Sequence, residues 1–573
     1  MTANIIAPGD VTGGSSAPGG PLGSPQVSGL RAWLARSQSG ADRLRGYWLT
    51  TPGKVILVAT ALAVAIRLFT LLRSGYLTGI TEYDDGVYLG ASLRLVDGAM
   101  PYKDFAFIQP PGILLLMSPV ALVAKFTTTV KALALARVLT AMASAACVAL
   151  AGNLVRYRGT TVTVVTCTVL AVYPGDIATA HTLLLEPWMN LFCLLAINAA
   201  FRDGHLARPG RLAWAGAALG FACAIKFWAA APAAVLLVVC LTNRNDRPAR
   251  LRAYLLSLSA GFLLPVLPFL ASAPMTFIRS TINDQVARTG SPVSTGIRVA
   301  NLTGLIDVID KQGAVSFSAG AQSRFAAALL ASVGNPSGLG WLPVPGIVLL
   351  AGVIAAGYIW KFRRRTELEW LSLATAVLAS AAILVSPAFF YHYSDFPAPW
   401  LALTLGFAAG ALAVGGELRA IVVPAFYLLL VLVLALQIRE IFPLSQPTTQ
   451  AMAHRIPPRS CLVTDDASLA IGADRFADLP PGCPDIVDAL AATLVLSNGV
   501  SVESGADHLP QVVAAWRSWL GKADYVWLSP ADGSQRERRI PWTPALAAWF
   551  NANFAKLPMS GPGTGQLYTR ARK

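Results

Sequence analysis

The chain of 573 residues is 55% hydrophobic and only 13% charged, with a mean hydropathy of +0.56. That is far too little charge to coat a soluble globule of this length. Its net charge of +15 would suit nucleic acid, but the basic residues fall in short clusters between apolar runs, the pattern of cytoplasmic loops in an inserted helix bundle. Composition therefore speaks against a soluble enzyme and against nucleic acid as a partner, and for a mainly α, polytopic membrane protein.

Residues 1–30 are rich in Gly, Pro and Ser and have no apolar core of a signal peptide, which predicts a disordered tail. From 31 to 48, Arg31, Arg36, Arg43 and Arg45 alternate with Trp33, Leu34, Leu44 and Trp48. This suits either a basic helix on an anionic cytoplasmic leaflet or a plain topology signal. Residues 1–48 are thus expected to be cytoplasmic. The first span, 54–72, is entered from this basic side, so the loop 73–130 is expected on the exoplasmic face.

That loop carries Glu82-Tyr83-Asp84-Asp85-Gly86-Val87-Tyr88. Adjacent carboxylates just past a span are costly unless they meet water or a polar cavity, so they point to function. Val87, Leu89, Leu93 and Val96, followed by Gly98, predict an amphipathic helix over 86–97 with a Gly cap. Asp84 and Asp85 stand at its start, where free N–H groups favour anions, and such a pair can act as a general base. Gln109-Pro110-Pro111-Gly112 then opens a second helix over 113–126. Both helices are expected to lie at or partly in the outer leaflet.

Spans at about 131–155 and 160–175 bracket Arg156 and Arg158, and one at about 182–201 leads into Arg202, Arg208 and Arg211. The apolar run 212–241 is too long for one upright span. With Lys226, Phe227 and Trp228 at its middle it reads as a short hairpin, which also keeps Arg244, Arg247, Arg250 and Arg252 inside. A span at 252–271, a long exoplasmic loop at 273–341 and spans near 343–360, 368–386, 397–414 and 419–438 complete about eleven crossings of a membrane domain, 49–439. Residues 440–573 would then be exoplasmic. The strand-like runs 461–464, 525–528 and 566–570, set between helical segments, predict a small α/β domain there. Five of the seven cysteines lie in apolar runs and read as small hydrophobes. Cys461 and Cys483 would meet an oxidising compartment, as a disulfide or as two thiols, and the sequence leaves both open.

Several motifs resemble one family. Asp84-Asp85 follows the first span, Leu95 to Asp104 reads LVDGAMPYKD, and Gln109 to Gly112 forms a Pro-Pro motif. Glu186-Pro187 heads a span, a Gly-rich span from Gly216 ends in Lys226, and Tyr391-His392-Tyr393 precedes Pro397 and Pro399. In order and spacing the chain resembles the GT-C superfamily of polyprenyl-phosphate-sugar-dependent glycosyltransferases, in particular the branch of protein O-mannosyltransferases and lipid A aminoarabinose transferases. It departs in having Asp85 where many relatives have Glu, which leaves the roles within the pair open.

The resemblance implies an inverting transfer of a mannose- or arabinose-like sugar from a polyprenyl-phosphate carrier to a hydroxyl of a glycan, lipid or protein, at the exoplasmic face of the plasma membrane. By alignment Asp84 would be the base. Lys226 and His392, with Tyr391 and Tyr393 as hydroxyl donors, would meet the leaving lipid phosphate. Glu186 and Asp176 form a possible second acidic site, although turn chemistry alone accounts for Asp176 between 173 and 182. Acidic residues on two loops could coordinate a divalent cation; the resemblance implies no such requirement, and no cofactor is expected. A lipid-linked sugar flippase or carrier, with the acids as coupling sites, is the competing class. Carriers usually hold such residues near the midplane in broken helices, not in a long loop followed by a polar tail.

Overall fold

The computed structural model describes residues 50–286, 295–302, 308–309, 315–316, 365–412, 447–529, 539–558 and 564–571. The expected cytoplasmic region 1–48 (a disordered tail and basic segment), the spans 343–360 and 419–438, and most of the loop 273–341 lie outside these residues.

The first helix, α1 (Thr51–Leu71), leads into a loop bearing α2 (Tyr83–Val96) and α3 (Gly112–Phe126). The chain continues through α4 (Thr129–Val155), then α5 (Thr160–Val172) and α6 (Pro174–Ala180), bent by 51° between them. The bend falls at Tyr173, whose extended backbone (φ −65°, ψ 123°) is the conformation a following proline imposes. Next come α7 (Leu185–Ala200) and a two-residue hairpin of β1 (Phe201–Arg202) and β2 (His205–Leu206). Its turn is Asp203-Gly204, with φ of 50° and 84°, the paired positive φ that a tight hairpin needs. It reverses the chain into α8 (Pro209–Ile225).

The apolar run after it is a hairpin. Lys226 adopts an extended backbone (φ −153°, ψ 130°) that ends α8, and α9 (Ala230–Thr242) returns. Both Asn243, just past α9, and His205, just before α8, meet Glu367, at 3.2 and 2.9 Å. The chain therefore comes back to the end from which α8 set out. Helices α10 (Arg247–Ser272), α11 (Glu367–Val385) and α12 (Ala398–Leu412) follow. A Cβ on Gly220 of α8 would lie 2.2 Å from the Leu258 carbonyl oxygen of α10, so the two backbones touch as only small residues permit. Among the described residues, four helices are long and apolar enough to cross a membrane, or five if the bent pair is one span.

In the tail, β3 (Leu462–Thr464), β4 (Tyr525–Leu528), β5 (Phe554–Lys556) and β6 (Gln566–Arg570) form a sheet in the order β3-β4-β6-β5. β3 and β4 are parallel and the other pairs antiparallel. The parallel crossover carries α13 (Ala467–Gly472), α14 (Ala489–Leu496) and α15 (Pro510–Lys522), and α16 (Pro544–Asn553) precedes β5. A disulfide joins Cys461 to Cys483. A local core of Val463, Trp516, Leu520, Val526 and Phe550 holds the sheet to its helices.

The tail also shares a core with the bundle. Leu469, Ile471, Phe476 and Trp527 join Leu89 and Leu93 of α2 and Leu194 and Leu219 of α7 and α8 in one apolar cluster. As a result α2 is buried at every residue from Asp85 to Arg94. This corrects the expectation of an amphipathic helix with an exposed polar face: that face is covered by the tail. Arg94 shows how, pairing with Asp485 at 2.6 Å and lying 4.3 Å over the Phe476 ring.

Candidate functional site

Four segments that are distant in sequence meet: the first turn of α2, the start of α7, the break at Lys226, and a short 3-10 turn, Tyr391–Asp395. Glu82 is the N-cap of α2, in extended conformation (φ −149°, ψ 145°), and its carboxylate accepts the Tyr83 N–H at 3.2 Å. This frees the helix to begin at Tyr83, three residues earlier than its hydrophobic periodicity suggests, and puts Asp84 and Asp85 in the first turn.

Successive helical residues point about 100° apart, and the two aspartates meet different surroundings. Asp85 is fully buried and its Oδ2 takes hydrogen bonds from Arg137 Nη2 at 2.6 Å and Thr81 Oγ1 at 2.8 Å. Its Oδ1 accepts the backbone N–H of Leu183. Arg137, from the middle of α4, is itself fully buried and also donates to the carbonyls of Tyr76 and Gly79 at 2.7 and 2.9 Å. Asp84 is only half-buried, and Tyr88, one turn on, donates to its Oδ2 at 3.0 Å. Burial first, then the Asp84 and Glu186 carboxylates, hold the Tyr88 hydroxyl well above its usual range, so it remains a donor.

Glu186, in the first turn of α7, forms the second centre. Its Oε1 accepts from Lys226 Nζ at 2.5 Å and lies 3.0 Å from His392 Nδ1. The other oxygen, Oε2, is buried and has no hydrogen-bond partner among the described residues. The extended backbone at Lys226 turns its side chain into this site, where the ammonium sits 3.9 Å from the Trp228 ring and 4.5 Å from that of Tyr393. His392 is flanked by Phe390, Tyr391 and Tyr393 at centroid distances of 5.7, 5.5 and 4.9 Å.

Tyr391 links the two centres by donating to Glu82 Oε2 at 3.0 Å. Burial, reinforced by Asp84, pushes the Glu82 carboxyl up to about 7, against the opposing pull of His392 and the Tyr391 hydrogen bond. The structure thus brings together Asp84, Asp85, Glu186, Lys226, Tyr391, His392 and Tyr393. Asp176 is not among them. It pairs with Arg67 and accepts from Ser144 Oγ at 2.6 Å, inside the bundle among α1, α4 and α6.

Sequence reasoning passed over Glu82 and Tyr88 as partners in the site, and Arg137 as the holder of Asp85. The signal for Arg137 was present: a cation in the middle of an apolar run is expensive unless it is paired. The same holds for Arg67. Among the described residues, no three His, Cys, Asp or Glu side chains group closely enough to hold a metal ion. The arrangement offers a half-buried carboxylate, Asp84, joined through Tyr88 to a cluster that holds the Lys226 ammonium and the His392 imidazole around Glu186.

No protein-family model and no curated protein matches the sequence. Among solved structures the chain is similar to that of ArnT from Cupriavidus metallidurans bound to undecaprenyl phosphate. The match has 14% identity, covers 89% of this chain and 97% of that one, and has a TM-score of 0.53. The same protein in the apo state matches with 13% identity, 91% and 98% coverage and a TM-score of 0.52. The chain has the GT-C fold. The motifs that carry the sequence resemblance fall together in it: the Asp pair, Glu186, Lys226 and His392 converge, and Gly112 of the Pro-Pro motif packs against the end of α8. A Cβ there would lie 2.6 Å from the Ala224 carbonyl oxygen, two residues before Lys226.

Proposed function

We propose that this chain is an inverting glycosyltransferase that moves a mannose- or arabinose-like sugar from a polyprenyl-phosphate carrier to an acceptor hydroxyl of a glycan, lipid or protein. The proposed location is the exoplasmic face of the plasma membrane. The observation that carries the reading is the division of labour in the aspartate pair. Asp85 is locked by Arg137, Thr81 and the Leu183 amide, whereas Asp84 keeps a half-buried carboxylate whose partner Tyr88 also feels the Glu186 carboxylate that holds Lys226 and lies against His392. The GT-C fold and the undecaprenyl phosphate bound to ArnT support the class of donor.

In this mechanism the acceptor oxygen attacks the anomeric carbon as its proton passes to Asp84. The bond from the anomeric carbon to the phosphate oxygen breaks, and the electron pair leaves with the lipid phosphate. Lys226, cradled by Trp228 and Tyr393, and His392 face the charge that develops there. Asp85 acts as a positioning residue. Glu186 holds the Lys226 ammonium and the His392 ring in place, which makes it part of the phosphate site and not a second base.

The test is transfer by purified protein in lipid nanodiscs, with a panel of short-chain polyprenyl-phosphate sugars as donors. Asp84→Asn is expected to lose about 100-fold or more in turnover while staying folded. Full activity of that variant refutes the base, and movement of the lipid-linked sugar across proteoliposomes without any transfer refutes the enzyme.

A further inference from the structure

The first turn of α2 is held by a residue 386 positions away from Glu82 in sequence. The Ser468 hydroxyl donates to the Glu82 carbonyl oxygen at 3.0 Å and accepts the Gly86 N–H at 3.1 Å. Residues 82 and 86 are the acceptor and donor of the first i to i−4 pair of the helix. One side chain of the tail therefore brackets the two residues that enclose Asp84 and Asp85.

The approach is as close as a backbone allows. A Cβ on Gly86 would stand 2.2 Å from the Ser468 nitrogen and 2.8 Å from the Ala467 carbonyl carbon, so glycine is the residue that admits α13 here. Ser468 is fixed in turn by the tail. Asp466 caps α13 by accepting the Ser468 N–H at 2.9 Å and lies 3.4 Å from Arg539. The Arg539 guanidinium lies 3.8 Å over the Tyr83 ring, and the Tyr83 hydroxyl donates to Asp488 at 2.7 Å. The residue immediately before Asp84 is thereby gripped by the tail as well.

We propose that Ser468 is a positioning residue of the transfer reaction: by bridging Glu82 and Gly86 it sets the direction in which Asp84 meets the acceptor hydroxyl, so that the C-terminal segment completes the active site. This rests on the reading of Asp84 as the base. Nothing in the tail has to touch the donor phosphate, so the effect falls on the chemical step and not on donor binding. A displacement on the order of 1 Å at a reacting group costs about 100-fold in rate.

The experiment measures kcat and donor KM of the full-length protein with Ser468→Ala, Ser468→Thr and Ser468→Cys, each checked for an unchanged unfolding midpoint. Ser468→Ala is expected to lose about 10- to 100-fold in kcat with donor KM unchanged, and Ser468→Thr, which restores the hydroxyl, to recover most of it. Wild-type turnover in the alanine variant, or a loss confined to KM, overturns the proposal. If the alanine variant does not fold, Ser468→Cys carries the test. It fills nearly the same space with a far weaker donor, and wild-type turnover there overturns the idea equally. A double variant separates this proposal from the one beneath it. In the Asp84→Asn background, Ser468→Ala is expected to cost nothing further, because the group it aims is gone. An inactive Asp84→Asn with a fully active Ser468→Ala removes the positioning role alone, whereas a fully active Asp84→Asn removes both.

Discussion

Replacing Asp85 by Asn separates a structural carboxylate from a chemical one. The Asp85 and Arg137 side chains both have 0% exposure, and their atoms lie 2.6 Å apart. Removing one partner of a buried ion pair typically costs about 3–5 kcal/mol, because the remaining charge has lost its counter-charge without gaining water. Here Arg137 keeps the Tyr76 and Gly79 carbonyls, and asparagine retains one oxygen for the Leu183 N–H, so the lower end, about 3 kcal/mol, is expected. Among the described residues Asp84 has no ion pair and one side-chain hydrogen bond, from Tyr88, so Asp84→Asn is expected to change stability by about 1 kcal/mol or less. The assay is the thermal unfolding midpoint of the protein in nanodiscs, followed by intrinsic fluorescence and paired with transfer activity at a temperature where each variant remains folded. Asp85→Asn should unfold well below the wild type and keep measurable turnover per folded molecule. Asp84→Asn should unfold with the wild type and have lost turnover. If Asp85→Asn unfolds with the wild type but is inactive, the assignment within the pair is reversed and the reasoning from burial fails.

Glu82 gives a pH prediction. Its carboxyl sits at about 7 in the folded chain against an ordinary 4.5, so the protonated form is favoured by folding. That contribution is complete below about pH 4.5 and fades as pH rises through 7, amounting to about 3 kcal/mol for a shift of this size. Glu82→Gln should flatten the stability profile between those limits, and an unchanged slope would show that another group is responsible. Lys226→Met should destabilise the protein by leaving the Glu186 carboxylate buried beside His392 alone. Adding Glu186→Gln should restore the unfolding midpoint but not the affinity for the lipid-phosphate donor, measured as KM. Gly112→Ala places a Cβ 2.6–2.9 Å from backbone atoms of Ala224 and Ile225, which cannot rotate away. It should cost about 1–3 kcal/mol and raise donor KM by shifting the neighbouring Lys226, and wild-type KM at full stability would argue against that coupling.

The hairpin at Lys226 shows what could be read from the chain. An apolar run too long for one helix, with a cation and two aromatics at its centre, has few other solutions in a bilayer, and α8 and α9 adopt that one. The strand runs 525–528 and 566–570 were legible for a similar reason, since period and turn residues are local. α2 was only half legible. Its helical period and Gly98 cap were visible, but its burial was not, because the covering residues lie in the tail.

The amino-acid sequence by itself determined that this is an apolar, helical, membrane-type chain, and it singled out Asp84, Glu186, Lys226 and His392 as candidates for one site. Hydropathy, helix period and the expense of charge near lipid are properties of short stretches. Tertiary structure alone decided which aspartate is locked and which is open, that Asp176 belongs to Arg67 and not to the site, and that Ser468 grips the first turn of α2. These outcomes depend on partners 52, 109 and 386 residues away, and hydrogen bonds over such separations leave no periodic trace in the sequence.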